Sequence, residues 1–567
     1  MLYPVQNQKR LKMSLNGIWN FSIVDEYYEP KFVLDDFILM AVPSSYNDLV
    51  VDKKIANHVG LVCYEKTFQI PKWIHEEELR IRIGAATHQA TVYINGVLIG
   101  SHQGGFLPID LLIPKDILDD KNRLSIVLDN RLTYETLPIG QIDMKNGVEK
   151  QIIHYDFANL SGIHRDVIIY TRPVNPIEDI FITTKVDEDK AYVSYQIICD
   201  GEIKLVSVKD KNGLVVGFSS DQDGMITIHK PHLWDIGNGY LYTLEVSTIT
   251  DCYEEKFGIR EIEIKNDQLL LNKKKIYLKG FGMHEDHLII GKGANSAHHL
   301  KDMNLLNWIH ANSLRTSHYP YAEEIYDLAD QLGILIINEI PAVGLNFWSD
   351  VKVFTPGRVD EKTKQVHMDQ LTELVSRDKN HPSVIMYSLA NEANTHEDGA
   401  YAYFKDIFAH MRTLTNLPLM IVEWVHAEIN QVASLADVIG LNRYFAWYSE
   451  FGELEVIEDR IRKDFDSYYK KFKKPIILTE FGADTIAGLH ALPSVPFSEE
   501  FQVEFLAQYV KSIQDLDYVI GEHVWNFADF MTKQGLTRFN GNKKGVFSRD
   551  RQPKMVAHFL KEHWKNK

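Results

Sequence analysis

The stretch DKNHPSVIMYSLANE (378–392) carries a short apolar run that opens after a His-Pro-Ser turn and ends directly on Asn391-Glu392. Seven further runs of this kind lie at 276–280, 313–316, 334–338, 419–422, 438–441, 476–478 and 519–524. Between them stand amphipathic stretches, such as Tyr401, Phe404, Ile407, Phe408 and Met411 at helical spacing. Eight strands alternating with helices over about 300 residues predict a (β/α)8 TIM barrel. A doubly wound sheet is the alternative, but no glycine-rich first turn is present to hold a nucleotide.

The preceding sequence reads differently. Runs at 79–83, 90–94 and 124–128 are short and rich in Val, Ile and Leu, and Asn95-Gly96 between TVYI and VLIG marks a hairpin. These features predict an N-terminal β jelly-roll or sandwich over residues 1–173, closed by the linker TRPVNP (171–176). Alternating runs FITTKV (181–186), YVSYQII (192–198), IKLVSVK (203–209) and YTLEVSTI (242–249) predict an immunoglobulin-like β-sandwich over 174–265. The barrel takes 266–567, so the chain is multidomain.

Charge narrows the partners. Sixty-one Lys and Arg face 78 Asp and Glu among 567 residues, a net −17. Such a chain repels polyanions, which argues against nucleic acid or an anionic membrane as partner. An anionic small substrate would then require a locally basic site. Three cysteines without CxxC spacing fit free thiols rather than a disulfide framework or zinc ribbon. The segment MLYPVQNQKRLKMSLNG (1–17) lacks the apolar core of a signal peptide, and no run approaches a membrane span. A cytoplasmic location is therefore expected.

In barrel enzymes the chemistry lies at the C-terminal strand ends. The fourth run ends on Asn391-Glu392 and the seventh, PIILT, ends on Glu480. A carboxylate there is costly unless solvated, paired or catalytic, and one alone reads as a structural ion pair or cap. Two, nearly across the barrel, fit double-displacement glycoside hydrolysis, which needs carboxyls about 5–5.5 Å apart.

NSLRTSHYP (312–320), DKNHPSVIMYSLANE (378–392) and TEFGADT (479–485) resemble the signature segments of glycoside hydrolase family 2, and the three-part layout matches that family over essentially the whole chain. The resemblance implies a retaining hydrolase with Glu392 as acid/base, Glu480 as nucleophile and Asn391 on the sugar 2-hydroxyl. The family usually has Trp where Tyr387 stands, which reads as a packing variation inside the strand.

By residue type alone, GNKKG (541–545) is a basic surface turn. It follows the eighth run, however, and can fold over the mouth that holds both glutamates. Within NFADF…GNKKG…RDR it resembles the β-glucuronidases of family 2, which implies that Asn542 and Lys544 hold a C6 carboxylate and Arg538 sits beside it. The same resemblance implies Asp156, from HYDFANLSGIHR (154–165), on the sugar, Tyr444 and Tyr448 lining the pocket, Trp525 as platform and His318 near the glycone. Read alone, these are a turn residue, core aromatics and a core histidine. His284-Glu285-Asp286-His287 invites a metal reading, but no second His/Asp cluster stands at the other strand ends, so no metal or cofactor is expected. Between Gly344 and about Gln365 runs a long polar connection with Phe347, Trp348 and Phe354, of a length that is usually functional or disordered; the resemblance implies that it shapes aglycone access.

The expectation is an exo-β-glucuronidase acting on small-molecule or oligosaccharide glucuronides, as a homo-oligomer and commonly a tetramer in the family. The rivals are a family-2 β-galacturonidase or dual-activity uronidase, a non-catalytic carbohydrate-binding protein and a metal-dependent barrel hydrolase.

Overall fold

The computed structural model describes residues 1–74, 77–565 and 567. Asn95 and Gly96 adopt φ of 52° and 82°, the turn conformation their side chains permit, and Ile94 pairs with Val97 across them. This hairpin edges a six-stranded antiparallel sheet ordered Ile38–Val42, Gly17–Ile23, Leu61–Phe68, Asn122–Asp129, Gln89–Ile94, Val97–Gln103. A four-stranded sheet packs against it through Trp19, Tyr64, Ile81, Val92, Ile126 and Ile169. Seven strands in two sheets then form the second sandwich, with Ile180, Val193, Val206, Leu244 and Phe257 inside. Here Val215–Ser219, Asp223–His229 and Cys252–Phe257 add to the four runs read from sequence.

Eight parallel strands close a barrel: Leu278–Gly282 (β1), Ser313–Arg315 (β2), Leu335–Glu339 (β3), Val384–Asn391 (β4), Leu419–Glu423 (β5), Val438–Asn442 (β6), Ile476–Glu480 (β7) and Val519–Val524 (β8). Every apolar run became a strand. β3 to β7 extend past their runs and take in Glu339, Asn391, Glu423, Asn442 and Glu480. The backbone ladder continues where the side chains turn polar, so apolar runs stop where the mouth begins. β1 begins two residues later than expected. A small antiparallel sheet (Ile262–Lys265, Gln268–Leu271, Lys274–Lys275) precedes it, and its Leu269 and Leu271 pack under the barrel with Leu278, Leu335 and Ile337.

Two further expectations meet the structure. Tyr387 is buried in the packing between barrel and helices, as a packing variation would be. The connection after Gly344 is shorter than expected, because its last residues enter the helix Glu361–Asp378. Asp360 caps that helix by accepting from Lys362 N, in a capping box with Thr363. Among the described residues, no helix is long and apolar enough to cross a membrane.

The first domain is tied to the barrel mouth by Arg165, which donates to the carbonyls of Phe106 (2.7 Å) and Pro320 (2.5 Å) and to Glu285 (3.2 Å). Nearer Asp156, the Ala158 amide donates to the Met531 carbonyl at 2.8 Å and ties that segment to the connection after β8.

Candidate active site

A cavity of about 830 Å³ opens over the C-terminal ends of the strands. It is lined by Asp156, His318, Asn391, Glu392, Tyr444, Tyr448, Glu480, Trp525 and Arg538, nine of the eleven residues expected at the site. Asn542 and Lys544 do not line it. Both are fully buried, one layer behind Tyr448 and Arg538.

Glu480, closing β7, accepts from Arg315 Nη2 at 2.5 Å and from the Tyr444 hydroxyl at 2.7 Å. Arg315, closing β2, also donates through Nη1 to both oxygens of Glu339 at 2.8 Å. Glu339 further accepts from Ser388 (2.7 Å) and His318 Nδ1 (2.7 Å). Burial works against a charge on Glu339, but Arg315 and His318 outweigh it and hold the carboxyl below its ordinary range. Burial also pushes His318 below its usual value, so its ring is neutral and gives its Nδ1 proton to Glu339. The ring lies on Trp525 with centroids 5.1 Å apart, making one floor of the cavity.

Glu392 follows β4 with φ of 54°, a left-handed backbone that costs a non-glycine residue roughly 1–2 kcal/mol. Its amide donates to the Val422 carbonyl at 2.9 Å, which holds the residue there. The carboxylate accepts from Asn442 Nδ2 (2.9 Å), which also reaches Asn391 Oδ1 (3.2 Å). Burial raises both carboxyls, Glu480 to about 8, with the Glu392 charge contributing to that rise and Arg315 opposing it. Glu339 and Glu480 share the Arg315 guanidinium, and at Glu392 the charges of Arg315 and Arg443 oppose the rise without cancelling it. The Glu392–Glu480 pair therefore retains a proton at neutral pH and titrates as a unit. Glu480 has a cationic donor and a phenol to stabilise its charge and Glu392 only an amide, an asymmetry that favours Glu392 as the protonated partner.

At the other wall, Lys544 Nζ donates to Asp484 (2.5 Å) and to the Tyr448 hydroxyl (2.9 Å). Arg538 donates to Asp156 (2.7 Å) and Tyr448 (2.5 Å), and its Nη1 lies 3.4 Å from Asp484. Asn542 Nδ2 donates to Asp156 at 3.0 Å, and its Oδ1 accepts from the Lys544 amide. Burial disfavours charge on Lys544 and Asp484 alike, yet each holds the other ionised, the lysine shifted up and the aspartate down.

Sequence reasoning passed over Arg315, Glu339, Asn442 and Asp484. Each stands at or just past a strand end, so the rule that found Glu392 would have found Glu339 and Asn442. The His284–His287 segment serves packing and ion pairs: His284 packs on Phe530 (4.3 Å), Glu285 accepts from Arg165, and Asp286 accepts from Arg549 (2.6 Å). Among the described residues one group has metal-like spacing, Asp327, Asp330 and His381, near the start of β4 and away from the mouth.

A carboxylate pair at the mouth of such a barrel, behind two β-domains, defines a glycoside-cleaving class. Residues 12–173, 175–260 and 262–567 match, in turn, the sugar-binding domain, the family-wide domain and the TIM barrel domain of the glycosyl hydrolases family 2. The chain belongs to that family. A β-glucuronidase of Paenibacillus borealis is 43% identical over all of this chain and 98% of its own length, and the human β-glucuronidase is 37% identical over all of this chain and 92% of its own. The solved β-D-glucuronidase of Dictyoglomus thermophilum is 45% identical, covers 100% of this chain and 99% of its own, and superposes with TM-score 0.97. The Ruminococcus gnavus β-glucuronidase in complex with D-glucuronic acid is 37% identical over 99% of each chain, with TM-score 0.94.

Proposed function

We propose that this chain is a retaining exo-β-glucuronidase, with Glu480 as nucleophile and Glu392 as acid/base. The observation that carries the reading is the unequal setting of the two carboxyls: Glu480 bound by Arg315 and Tyr444, Glu392 bound by Asn442 alone. In the first step a Glu480 oxygen attacks the anomeric carbon and the glycosidic C–O bond breaks. The leaving oxygen takes the Glu392 proton, and a glycosyl ester remains on Glu480. In the second, Glu392 as carboxylate takes a proton from water. The water oxygen attacks the same carbon and expels Glu480, so the β configuration is kept. Asn391, fixed by Asn442, is placed for the 2-hydroxyl, and Trp525 supplies the platform.

The uronate reading rests on the Tyr448 hydroxyl, which receives both Lys544 Nζ and Arg538 Nη2. A phenol is a weak acceptor for two cations, and a carboxylate entering beside it would take their donors with stronger charge-assisted bonds. Asp156, held by Arg538 and Asn542, meets the neighbouring hydroxyl. The β-glucuronidase relatives, one of them bound to D-glucuronic acid, support the same glycone. The reading includes domains at 1–173, 174–265 and 266–567, a cytoplasmic location and a homo-oligomer.

The test compares kcat/KM for p-nitrophenyl β-glucuronide, β-galacturonide, β-galactoside and β-glucoside. The glucuronide is expected to lead both neutral sugars by at least about 10²-fold, because only a carboxylate offers the Lys544 and Arg538 donors stronger charge-assisted bonds than the Tyr448 hydroxyl does. A galacturonide in first place would reassign the 4-hydroxyl contact; a neutral glycoside in first place would overturn the uronate reading.

The shared proton also sets a pH dependence. The active form for the first step has Glu392 protonated and Glu480 ionised, so kcat/KM falls on the alkaline side as the pair loses its last proton, above the ordinary carboxylate range, and on the acid side once both carboxyls are protonated. An alkaline-side fall already complete at about pH 4–5 would contradict a raised acid.

A further inference from the structure

Glu392 rests on two supports that stand on different strands: the Val422 carbonyl of β5, which accepts its amide, and Asn442 of β6, which donates to its carboxyl. The strand pairing stops short of fixing the distance between them. The β5–β6 ladder ends with Glu423 opposite Leu441, so Asn442 lies beyond it. The β4–β5 register shifts between Ser388 and Asn391, just before Glu392. A side chain at the end of two interrupted ladders needs a further tie to hold a productive position within about 0.5 Å.

Arg443, the residue after Asn442, supplies that tie. It is buried, and its Nη1 donates to the Glu423 carbonyl at 2.9 Å and to the Asn442 carbonyl at 2.8 Å. One guanidinium nitrogen therefore bridges the ends of β5 and β6 where their ladder stops. Nη2 reaches the Val425 carbonyl at 3.3 Å, and Nε donates at 2.6 Å to Asp464 of the helix Ile457–Phe472. The Tyr468 ring of the same helix lies against the guanidinium, 5.6 Å from its centroid. A planar fork with a charged acceptor on one edge and a ring against it has little freedom to turn. The Arg443 amide, by contrast, donates to the Glu480 carbonyl at 2.9 Å. The guanidinium thus serves the acid/base side, while the nucleophile side is held by a backbone bond that other side chains at this position retain.

We infer that Arg443 is a positioning residue for the acid/base, its guanidinium fixing the spacing of the two strand ends from which Glu392 is held. It acts through Val422 and Asn442, so its effect falls on the step that takes a proton from Glu392. A leaving group that departs as a stable anion needs little of that proton, whereas an alkoxide cannot leave without it. The inference rests on the retaining glucuronidase reading for its substrates and for the role of Glu392.

The experiment measures kcat/KM of the wild type, Arg443→Met and Arg443→Lys on two substrates. Methyl β-glucuronide has a leaving group that must be protonated; 2,4-dinitrophenyl β-glucuronide has one that departs as an anion. Arg443→Met is expected to lower the first about 10²-fold, the scale of a displaced general acid, and the second about three-fold. Arg443→Lys keeps a charge beside Asp464 but has one ammonium for two strand ends, so its loss on the methyl glycoside is expected to fall between wild type and Arg443→Met. Equal losses on both substrates, a larger loss on the dinitrophenyl glycoside, or no loss in a folded Arg443→Met would overturn the positioning role. Thermal unfolding shows which variants are folded. If Arg443→Met is not, Arg443→Lys decides by the same ratio: a preferential loss on the methyl glycoside supports the role, and equal losses overturn it. A wild type that cleaves neither glucuronide would instead refute the glycone reading.

Discussion

Glu480→Gln is expected to lower kcat/KM by at least about 10⁴-fold, on the scale seen when an attacking group is removed from a preorganised site. Glutamine has the same shape, and with its carbonyl accepting from Arg315 its amide N–H can donate to the Tyr444 hydroxyl, which turns to accept, so the geometry survives while the nucleophilic oxygen is lost. The fold survives as well. Glu339 and Glu480 are buried carboxyls that share the guanidinium of Arg315, and the half-buried Glu392 stands close by. Removing one negative charge relieves repulsion that now forces a proton onto the pair, so Tm should hold or rise. Thermal unfolding run beside the assay gives both numbers. A folded variant with rates near wild type would remove Glu480 as nucleophile.

Lys544→Ala is expected to reduce glucuronide cleavage about 10²-fold or more while changing residual glucoside cleavage much less, because only the acid presents a charge to that wall. The variant carries a second effect that its surroundings dictate. Lys544 is fully buried against Asp484, so its removal leaves that carboxylate buried with Arg538 3.4 Å away as its remaining cation. Breaking one side of such a pair costs about 3–5 kcal/mol, and Tm should fall. Lys544→Ala with Asp484→Asn removes both charges and should recover much of the stability without recovering glucuronide selectivity. An unchanged ratio of glucuronide to glucoside kcat/KM in the folded double variant would show that Lys544 does not read the carboxylate.

The barrel was legible because each strand is an apolar run bounded by turn chemistry, and all eight runs are strands. Their ends were less legible. Asn442 and Glu339 belong to the strands, but their side chains break the apolar pattern that marks a strand, so periodicity stopped short of them. Glu392 and Glu480 were singled out as the first carboxylates past their runs, and Glu339, which stands in the same place after the third run, was passed over. Arg315 lay in view within NSLRTSHYP, yet nothing in one sequence says that its guanidinium bridges Glu339 and Glu480, since that contact joins residues 165 positions apart. Asp484 was hidden in the same way inside TEFGADT, as a partner for Lys544 that only folding supplies. The connection after Gly344 read as polar, whereas Phe347, Val353 and Phe354 are buried and Trp348 stands exposed at the cavity.

The net charge of −17 has a local counterpart. Arg538 and Lys544 are balanced by Asp156 and Asp484, so the site is not a bare cationic patch in an acidic protein. On the proposed uronate reading, preference for an anion comes from where the donors point, at the Tyr448 hydroxyl, rather than from an excess of positive charge. The acidic total and an acidic substrate are therefore compatible.

The most direct test of the account is proton NMR of p-nitrophenyl β-D-glucuronide during hydrolysis, read before the product mutarotates. The account predicts that β-D-glucuronic acid appears first and the α anomer grows in later; α anomer released first would contradict a glycosyl ester on Glu480.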